Sequence, residues 1–182
     1  RPLEKELRDH HIDLRLGTAV TAFEEGPGQE VTALTSQGDR IPVGVVILSI
    51  GVRPESALAQ QAGLQLTPRG HVVVNSYMQT SDPAIYAVGD VCAAPDPLTG
   101  GVSNVPLGGP ANRQGRTCAD HMVRGAAALP YPGSVGTAIV RVFRLAAGIT
   151  GLSERRLKEL GKPYCSVLVS GPSHASYFPG SQ

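Results

Sequence analysis

The sequence predicts an α/β fold. Three observations carry that expectation. Apolar, β-branched runs of strand length recur along the chain, as in Val45–Ile50. Amphipathic stretches with start and stop signals alternate with them, as in 153–161. Gly (22) and Pro (15) are spread through the 182 residues rather than concentrated, which suits many tight turns.

The length allows one or two small domains, and 41% hydrophobic residues suffice for a core. A net charge of +1 argues against a nucleic-acid or acidic-tail protein. Trp is absent and aromatics make up 4%, too few for a base-stacking platform. Cys92, Cys118 and Cys165 are odd in number and form no C-x-x-C pair. A disulfide framework is therefore not expected, and a reducing, cytoplasmic setting is the default. The longest apolar stretch, Val43 to Val52, is about half the length of a membrane-spanning helix.

Residues 3–9 read as the last turns of an amphipathic helix. Ile12 to Val20 alternates apolar and polar residues and reads as a strand. Val31–Thr35 and Arg40–Val43 flank Ser36-Gln37-Gly38-Asp39, a hairpin with Gly38 at its turn. Val45–Ile50 is uniformly apolar, as a strand buried on both faces would be. It runs into a turn at Gly51-Val52-Arg53-Pro54. Ser56 is placed to cap a short helix over Ala57–Ala62 that stops at Gly63. His71–Val74 is the next strand, followed by a turn and a short buried strand ending at Gly89-Asp90. A Gly/Pro-rich loop covers 93–109, and Pro110 opens a helix to Arg124. A composition change at 125–136 marks a domain boundary. Strands follow near Ala138–Val142 and Leu145–Ile149, then a helix capped by Ser153, then a strand over Cys165–Ser170. Arg1 falls inside a helical pattern and the chain stops just after Tyr177-Phe178-Pro179-Gly180, so a piece of a longer protein is expected.

The sharpest chemical signal is Gly89-Asp90 at the end of a strand. Ligands of open α/β sheets sit beyond the carboxyl ends of strands. A glycine there admits close approach of the backbone, and a carboxylate there accepts hydrogen bonds from polyol hydroxyls. A plain Gly-Asp turn is the competing interpretation. Downstream, Leu107-Gly108-Gly109-Pro110-Ala111 leads into a helix whose amino end presents unpaired N–H groups and partial positive charge. An ordinary helix start after a loop is the alternative there.

Taken together, Thr80, Pro83, Ile85, Tyr86, Ala87, Gly89 and Asp90 resemble the second FAD motif of the pyridine nucleotide-disulfide oxidoreductases. Ile47 to Glu55 is similar to that family's return strand from the NAD domain to the FAD domain. Val105 to Arg116 resembles its loop and helix covering the flavin ring. Gly136–Phe143, Thr150–Ser153 and Ser173–Gly180 are similar to the dimerisation domain of its CoA-disulfide reductase and NADH oxidase branch. The ferredoxin-reductase branch does not resemble the Tyr177-Phe178-Pro179-Gly180 loop.

The resemblance implies partial Rossmann-like FAD/NAD(P)-binding folds followed by the start of an α+β dimerisation domain. The implied division is 1–55 for the tail of the NAD(P) domain, 56–130 for the C-terminal half of the FAD domain, and 131–182 for dimerisation. The implied cofactors are FAD and NAD(P)H. Asp90 with Gly89 would hold the ribityl chain. Leu107, Gly108, Gly109, Pro110 and Ala111 would face the ring and favour its reduced, anionic form. Gly51 would border the nicotinamide. Tyr177 and His174 would serve a partner subunit's site in a homodimer, with Tyr177 a proton donor or a hydrogen-bond partner to sulfur. Phe178 stands where the family has a second tyrosine. The implied activity is reduction of a small disulfide-type acceptor, with an NADH oxidase as the alternative. For the piece alone, a non-catalytic dimerisation or interaction module is the rival. No G-x-G-x-x-G is present, and Cys92 lacks a neighbouring base or paired cysteine, so it is expected to be a small buried residue.

Overall fold

The structure, a computed structural model, describes residues 2–26, 30–172, 174–175 and 177–179. It divides into two compact units, Arg1–Thr150 and Gly151–Gln182.

The first unit opens with helix α1 (Pro2–Asp9), as its amphipathic pattern predicts. A three-stranded antiparallel sheet follows, β1 (Val20–Glu25), β2 (Val31–Thr35) and β3 (Arg40–Val43), in the order β1-β2-β3. The β2–β3 turn is built by its own polar residues. Thr35 Oγ1 accepts from the N–H groups of Gln37 and Asp39, while Gly38 takes φ +87°. The strand expected over Ile12–Val20 is not formed. Gly17 turns the chain at φ +67°, and the ladder begins only at Val20, opposite Thr35. Alternation alone does not make a strand where no partner backbone lies alongside.

Val45–Ile50, expected as a doubly buried strand, forms no strand and pairs with nothing among the described residues. Ile47 is 86% and Ile50 88% exposed. Such a run needs a ladder on its edges and cover on its faces, and the described residues supply neither. Helix α2 (Ala57–Gln61) forms where expected, but Ser56 makes no side-chain cap. Glu55 Oε1 accepts from Ala57 N–H instead.

The core of this unit gathers around a second small sheet. Strands β4 (Val72–Val73) and β5 (Cys92–Pro95) pair in parallel, and β6 (Val102–Ser103) adds antiparallel to β5. Val72, Val74, Met78, Cys92, Ala94, Cys118 and Tyr131 pack into one cluster. The strand expected just before Gly89 is reduced to one bridge, Gln79 to Tyr86, and Val88 is exposed. The preceding turn forms its hydrogen bonds locally, Thr80 N–H to Ile85 O and Ile85 N–H to Asp82 O, and these leave no run of groups for a longer ladder.

Helix α3 (Gly108–Arg124) covers this cluster with Gln114 and Cys118. It starts two residues before the expected Pro110. Proline is tolerated in the first turn, where N–H groups have no intrahelical partner anyway. Strands β7 (Ala138–Val142) and β8 (Leu145–Ile149) form a hairpin, as expected, with Val142 opposite Leu145.

The tip of that hairpin is held by α1. Phe143 takes φ +50°, unusual for a bulky side chain, and His10 stacks on its ring at 3.7 Å. Beside it, Glu6 accepts three bonds from Arg144: from the backbone N–H at 3.1 Å, from Nε at 3.1 Å and from Nη2 at 2.9 Å. Glu6 is buried while Arg144 reaches it from solvent. The side-chain and backbone bonds from Arg144 hold the Glu6 carboxyl at about 2, well below its ordinary 4.5.

In the second unit, helix α4 (Glu154–Glu159) is capped as expected, with Ser153 Oγ accepting from Arg156 N–H at 3.3 Å. The strand expected over Cys165–Ser170 is not formed; the segment is unpaired among the described residues and exposed, Leu168 at 99%. As with Val45–Ile50, the apolar composition is present and the ladder partner is not. Of the tail loop, Ser173, Ser176 and Gly180 lie outside the described residues.

The Glu6–Arg144 contact makes stability depend on acid. A depressed carboxyl stabilises the fold above the unfolded value near 4.5, and that contribution is lost as pH falls toward 2. At pH 7, Glu6→Gln is expected to melt below the parent. The gap should close as the pH is lowered from 4.5 to 2. Thermal unfolding followed by circular dichroism across that range checks this, and a gap constant with pH would disprove it.

Candidate functional site

Gly89-Asp90 lies in a single 3₁₀ turn, Gly89–Val91, that leads directly into β5. Gly89 takes φ +80°, a conformation that L side chains rarely adopt, so glycine is required by the backbone itself. A methyl group built there would lie 3.9 Å from the Ala111 side chain. The turn therefore sits against the first turns of α3, and the fold brings Gly89 and Ala111 together across the loop between them.

Two side-chain amides, which sequence reading passed over, fix this turn. Gln114, 5% exposed, accepts the Gly89 N–H on Oε1 at 2.7 Å. Asn104 Nδ2 donates to the Asp90 carbonyl at 2.9 Å and to the Cys92 carbonyl at 2.8 Å. The Cys92 thiol lies 3.3 Å from the Gly89 carbonyl and 3.6 Å from Gln114 Oε1. Asp90 itself is exposed, and among the described residues its carboxylate makes no hydrogen bond or ion pair.

The amino end of α3 is equally unengaged. Leu107 is its N-cap and supplies no side-chain bond. Gly108 and Gly109 carry N–H groups that precede the first intrahelical bond, Ala111 N–H to Leu107 O at 3.1 Å. A side chain at either glycine would meet nothing within 4 Å, so the backbone stands open. An open helix N-terminus offers donors and partial positive charge to an anionic or carbonyl-rich edge. Farther along, Tyr86 Oη bonds His121 Nδ1 at 2.8 Å, and Tyr77 stacks on the same ring at 4.5 Å. These contacts tie the segment before Gly89 to the far end of α3.

A cavity of about 420 Å³ also opens at the start of α3, walled by Pro97, Leu107, Gly109, Pro110, Arg113 and the 131–135 segment. Gly89 and Asp90 are not among its walls. The pairing of Asp90 with the helix end therefore rests on the direct Gly89–Ala111 approach and not on this cavity.

The remaining expected residues belong to other segments of the chain. Gly51 takes φ +91° in an exposed segment and has no neighbour within 4 Å of a built Cβ. His174 and Tyr177 belong to the second unit, where both rings pack near Phe178, at 5.7 and 5.8 Å. Tyr177 is exposed.

Cys92 is buried as expected. Burial pushes its thiol up to about 11 from an ordinary 9.0. Its thiolate is therefore disfavoured near neutral pH relative to an ordinary thiol. No group of three or more His, Cys, Asp or Glu among the described residues is arranged to hold a metal. No described helix is long and apolar enough to cross a membrane.

Known proteins share this architecture. Residues 1–115 match the family described as pyridine nucleotide-disulphide oxidoreductase. The reduced CoADR-RHD of Bacillus anthracis aligns with a TM-score of 0.89 at 40% identity, over 99% of this chain and 32% of that one. The NAD(P)H sulfur oxidoreductase (CoA-dependent) of Pyrococcus abyssi is 29% identical over 189 residues, covering 100% of this chain and 42% of its own length. An NADH oxidase of Enterococcus faecalis is 31% identical over 156 residues, covering 86% of this chain and 34% of its own. The chain thus spans well under half the length of these relatives.

Alkylation of the folded protein tests the environment of its thiols. Exposed Cys165 is expected to react with iodoacetamide at neutral pH while Cys92 and Cys118, both buried, stay unmodified. Peptide mass spectrometry reads the sites, and labelling of Cys92 at the rate of Cys165 would contradict its packing.

Proposed function

The chain belongs to the pyridine nucleotide-disulphide oxidoreductase family, and from that premise we propose that it forms part of an FAD-dependent NAD(P)H oxidoreductase acting on a small disulfide-type acceptor. In that enzyme it would supply contacts to the flavin and part of the interface of a homodimer. The division read from the sequence, 1–55, 56–130 and 131–182, would follow the NAD(P), FAD and dimerisation parts.

The observation that carries this reading is the approach of the Gly89-Asp90 turn to the open amino end of α3. The donor set fits a flavin. An unbonded carboxylate at Asp90 would accept hydrogen bonds from ribityl hydroxyls. The N–H groups of Gly108 and Gly109 would donate to the electron-rich edge of the ring, and the positive end of α3 would stabilise charge gathered there. When bound, the flavin would supply two-electron transfer between the nicotinamide and the acceptor. Gly51 would leave room for the nicotinamide end of the dinucleotide. Tyr177, exposed on its loop, would donate a proton or a hydrogen bond at a partner subunit's site, with His174 beside Phe178 as the second polar group.

The exposed apolar runs agree with this assignment. Val45–Val52 and Val167–Val169 would be covered in the assembled enzyme, since apolar surface of that length in water is unfavourable. Three free cysteines fit a reducing, cytoplasmic setting. The acceptor is taken to be a CoA-type disulfide or persulfide because the P. abyssi relative is named for CoA-dependent sulfur reduction. The E. faecalis relative supports an oxygen-reducing oxidase as the second reading.

Two measurements test the proposal. In the flavin-loaded enzyme carrying this chain, Asp90→Ala is expected to weaken FAD binding by about tenfold or more, the equivalent of one charge-assisted bond. Unchanged affinity, read by flavin fluorescence on titration, would remove the basis of the assignment. NAD(P)H consumption should be faster with CoA disulfide than with oxygen alone; the reverse order would select the oxidase.

A further inference from the structure

We propose that Asn104 and Gln114 are positioning residues for Asp90, two amides that lock the turn on both sides of the carboxylate so that it meets the cofactor already in place. Because this rests on the flavin assignment above, its test is built to separate the two.

The geometry is specific. Gln114 Oε1 accepts the Gly89 N–H at 2.7 Å on one side of Asp90. Asn104 Nδ2 takes the Asp90 carbonyl at 2.9 Å and the Cys92 carbonyl at 2.8 Å on the other. The partners themselves fix which way each amide faces. A backbone N–H can only donate, so Gln114 must turn its oxygen to it. Two carbonyls can only accept, so Asn104 must turn its nitrogen to them. The residue between these anchors has an exposed carboxylate with no partner among the described residues. The backbone of the turn is thus held at three atoms, one of them Asp90's own carbonyl, while the Asp90 side chain is left available.

The elements involved show why this is more than local turn chemistry. Gln114 comes from within α3, and Asn104 follows β6. Neither is near Asp90 in sequence. Gln114 also places the turn relative to the helix whose open end would face the ring. One buried side chain therefore sets the distance between the two groups assigned to the flavin. A preset carboxylate does not have to be ordered on binding, so more of its interaction energy appears as affinity.

The test uses the flavin-loaded enzyme, with four substitutions. Gln114→Met keeps the length and removes the acceptor for Gly89. Gln114→Glu keeps an acceptor there. Asn104→Asp removes both donors and sets a carboxylate against two carbonyls. Asp90→Asn is the reference. Gln114→Met and Asn104→Asp are expected to raise the FAD dissociation constant about tenfold. Both should shift the flavin absorption bands and midpoint potential in the direction that Asp90→Asn does. Gln114→Glu should recover most of the affinity. If Asp90→Asn weakens FAD binding but the amide variants lower only the melting temperature, with spectrum and potential unchanged, the positioning role is wrong and the flavin assignment stands. If Asp90→Asn itself leaves affinity and spectrum unchanged, both fall. Should Asn104→Asp not fold, Asn104→Ser, which keeps one donor, is expected to give a smaller shift of the same sign; no shift would count against the role.

Discussion

The bond from the Gly89 N–H to the buried oxygen of Gln114 joins the two halves of the candidate site. It crosses from the turn before β5 to the second turn of α3. A surface ion pair such as Arg40 with Glu24 contributes about 0–1 kcal/mol, because water competes for both partners. A backbone N–H stranded inside the protein costs about 1–3 kcal/mol. The part-buried bond is shielded on its Gln114 side and so weighs more than the exposed pairs in placing the turn against α3. The neighbouring contacts work in the same direction. Tyr86 and Tyr77 hold His121 near the other end of the helix, so α3 is fixed at two separated points along its length.

What the sequence made legible follows the range of the interactions. The β2–β3 and β7–β8 hairpins and the Ser153-capped helix are local, and their turn and cap residues announce them. Gly89 was singled out as a glycine that lets a ligand approach the backbone; the structure adds a local reason for it, a φ of +80° that the turn itself requires. The parallel pairing of β4 with β5 was not legible, since its partners are far apart in sequence and each strand is short. Val45–Ile50 and Cys165–Ser170 were misread in the opposite sense. Their composition is that of buried strands, but a strand exists only with a ladder, and a ladder is a property of the partner. Gln114 and Asn104 left no signal at all. A polar residue in a helix and another after a short strand have ordinary sequence neighbourhoods. Their function arises only when the fold carries an N–H and two carbonyls to them.

Strain is distributed in a way that matches this division. Met78, fully buried at φ +69°, and Phe143, at φ +50°, are bulky residues in a region that such residues seldom occupy. Each is held by neighbours. Asn75 Oδ1 accepts from the N–H groups of Tyr77 and Gln79, closing a loop around Met78. The Glu6–Arg144 contact and the His10 stack do the same for Phe143. The Gly89 turn avoids this cost by being glycine. Strain therefore falls where packing can hold it, and the turn that presents Asp90 is free of it.

Cys92 shows how the same arrangement limits the chemistry of this segment. It stands two residues after Asp90, close enough to invite a redox role. Yet its carbonyl is occupied by Asn104, and its thiol lies against the Gly89 carbonyl and Gln114 Oε1. Those oxygens are acceptors, so they favour the protonated thiol and oppose the thiolate. Burial acts the same way, moving the group to about 11. A reactive thiol needs the reverse, a positive or donor-rich setting with solvent access. Burial thus silences the nearest cysteine, with Gln114, the amide that anchors the Gly89 turn, lying against its thiol. In the proposed enzyme, this segment would bind and polarise through Asp90 and the end of α3, while sulfur chemistry would have to proceed at a thiol other than Cys92.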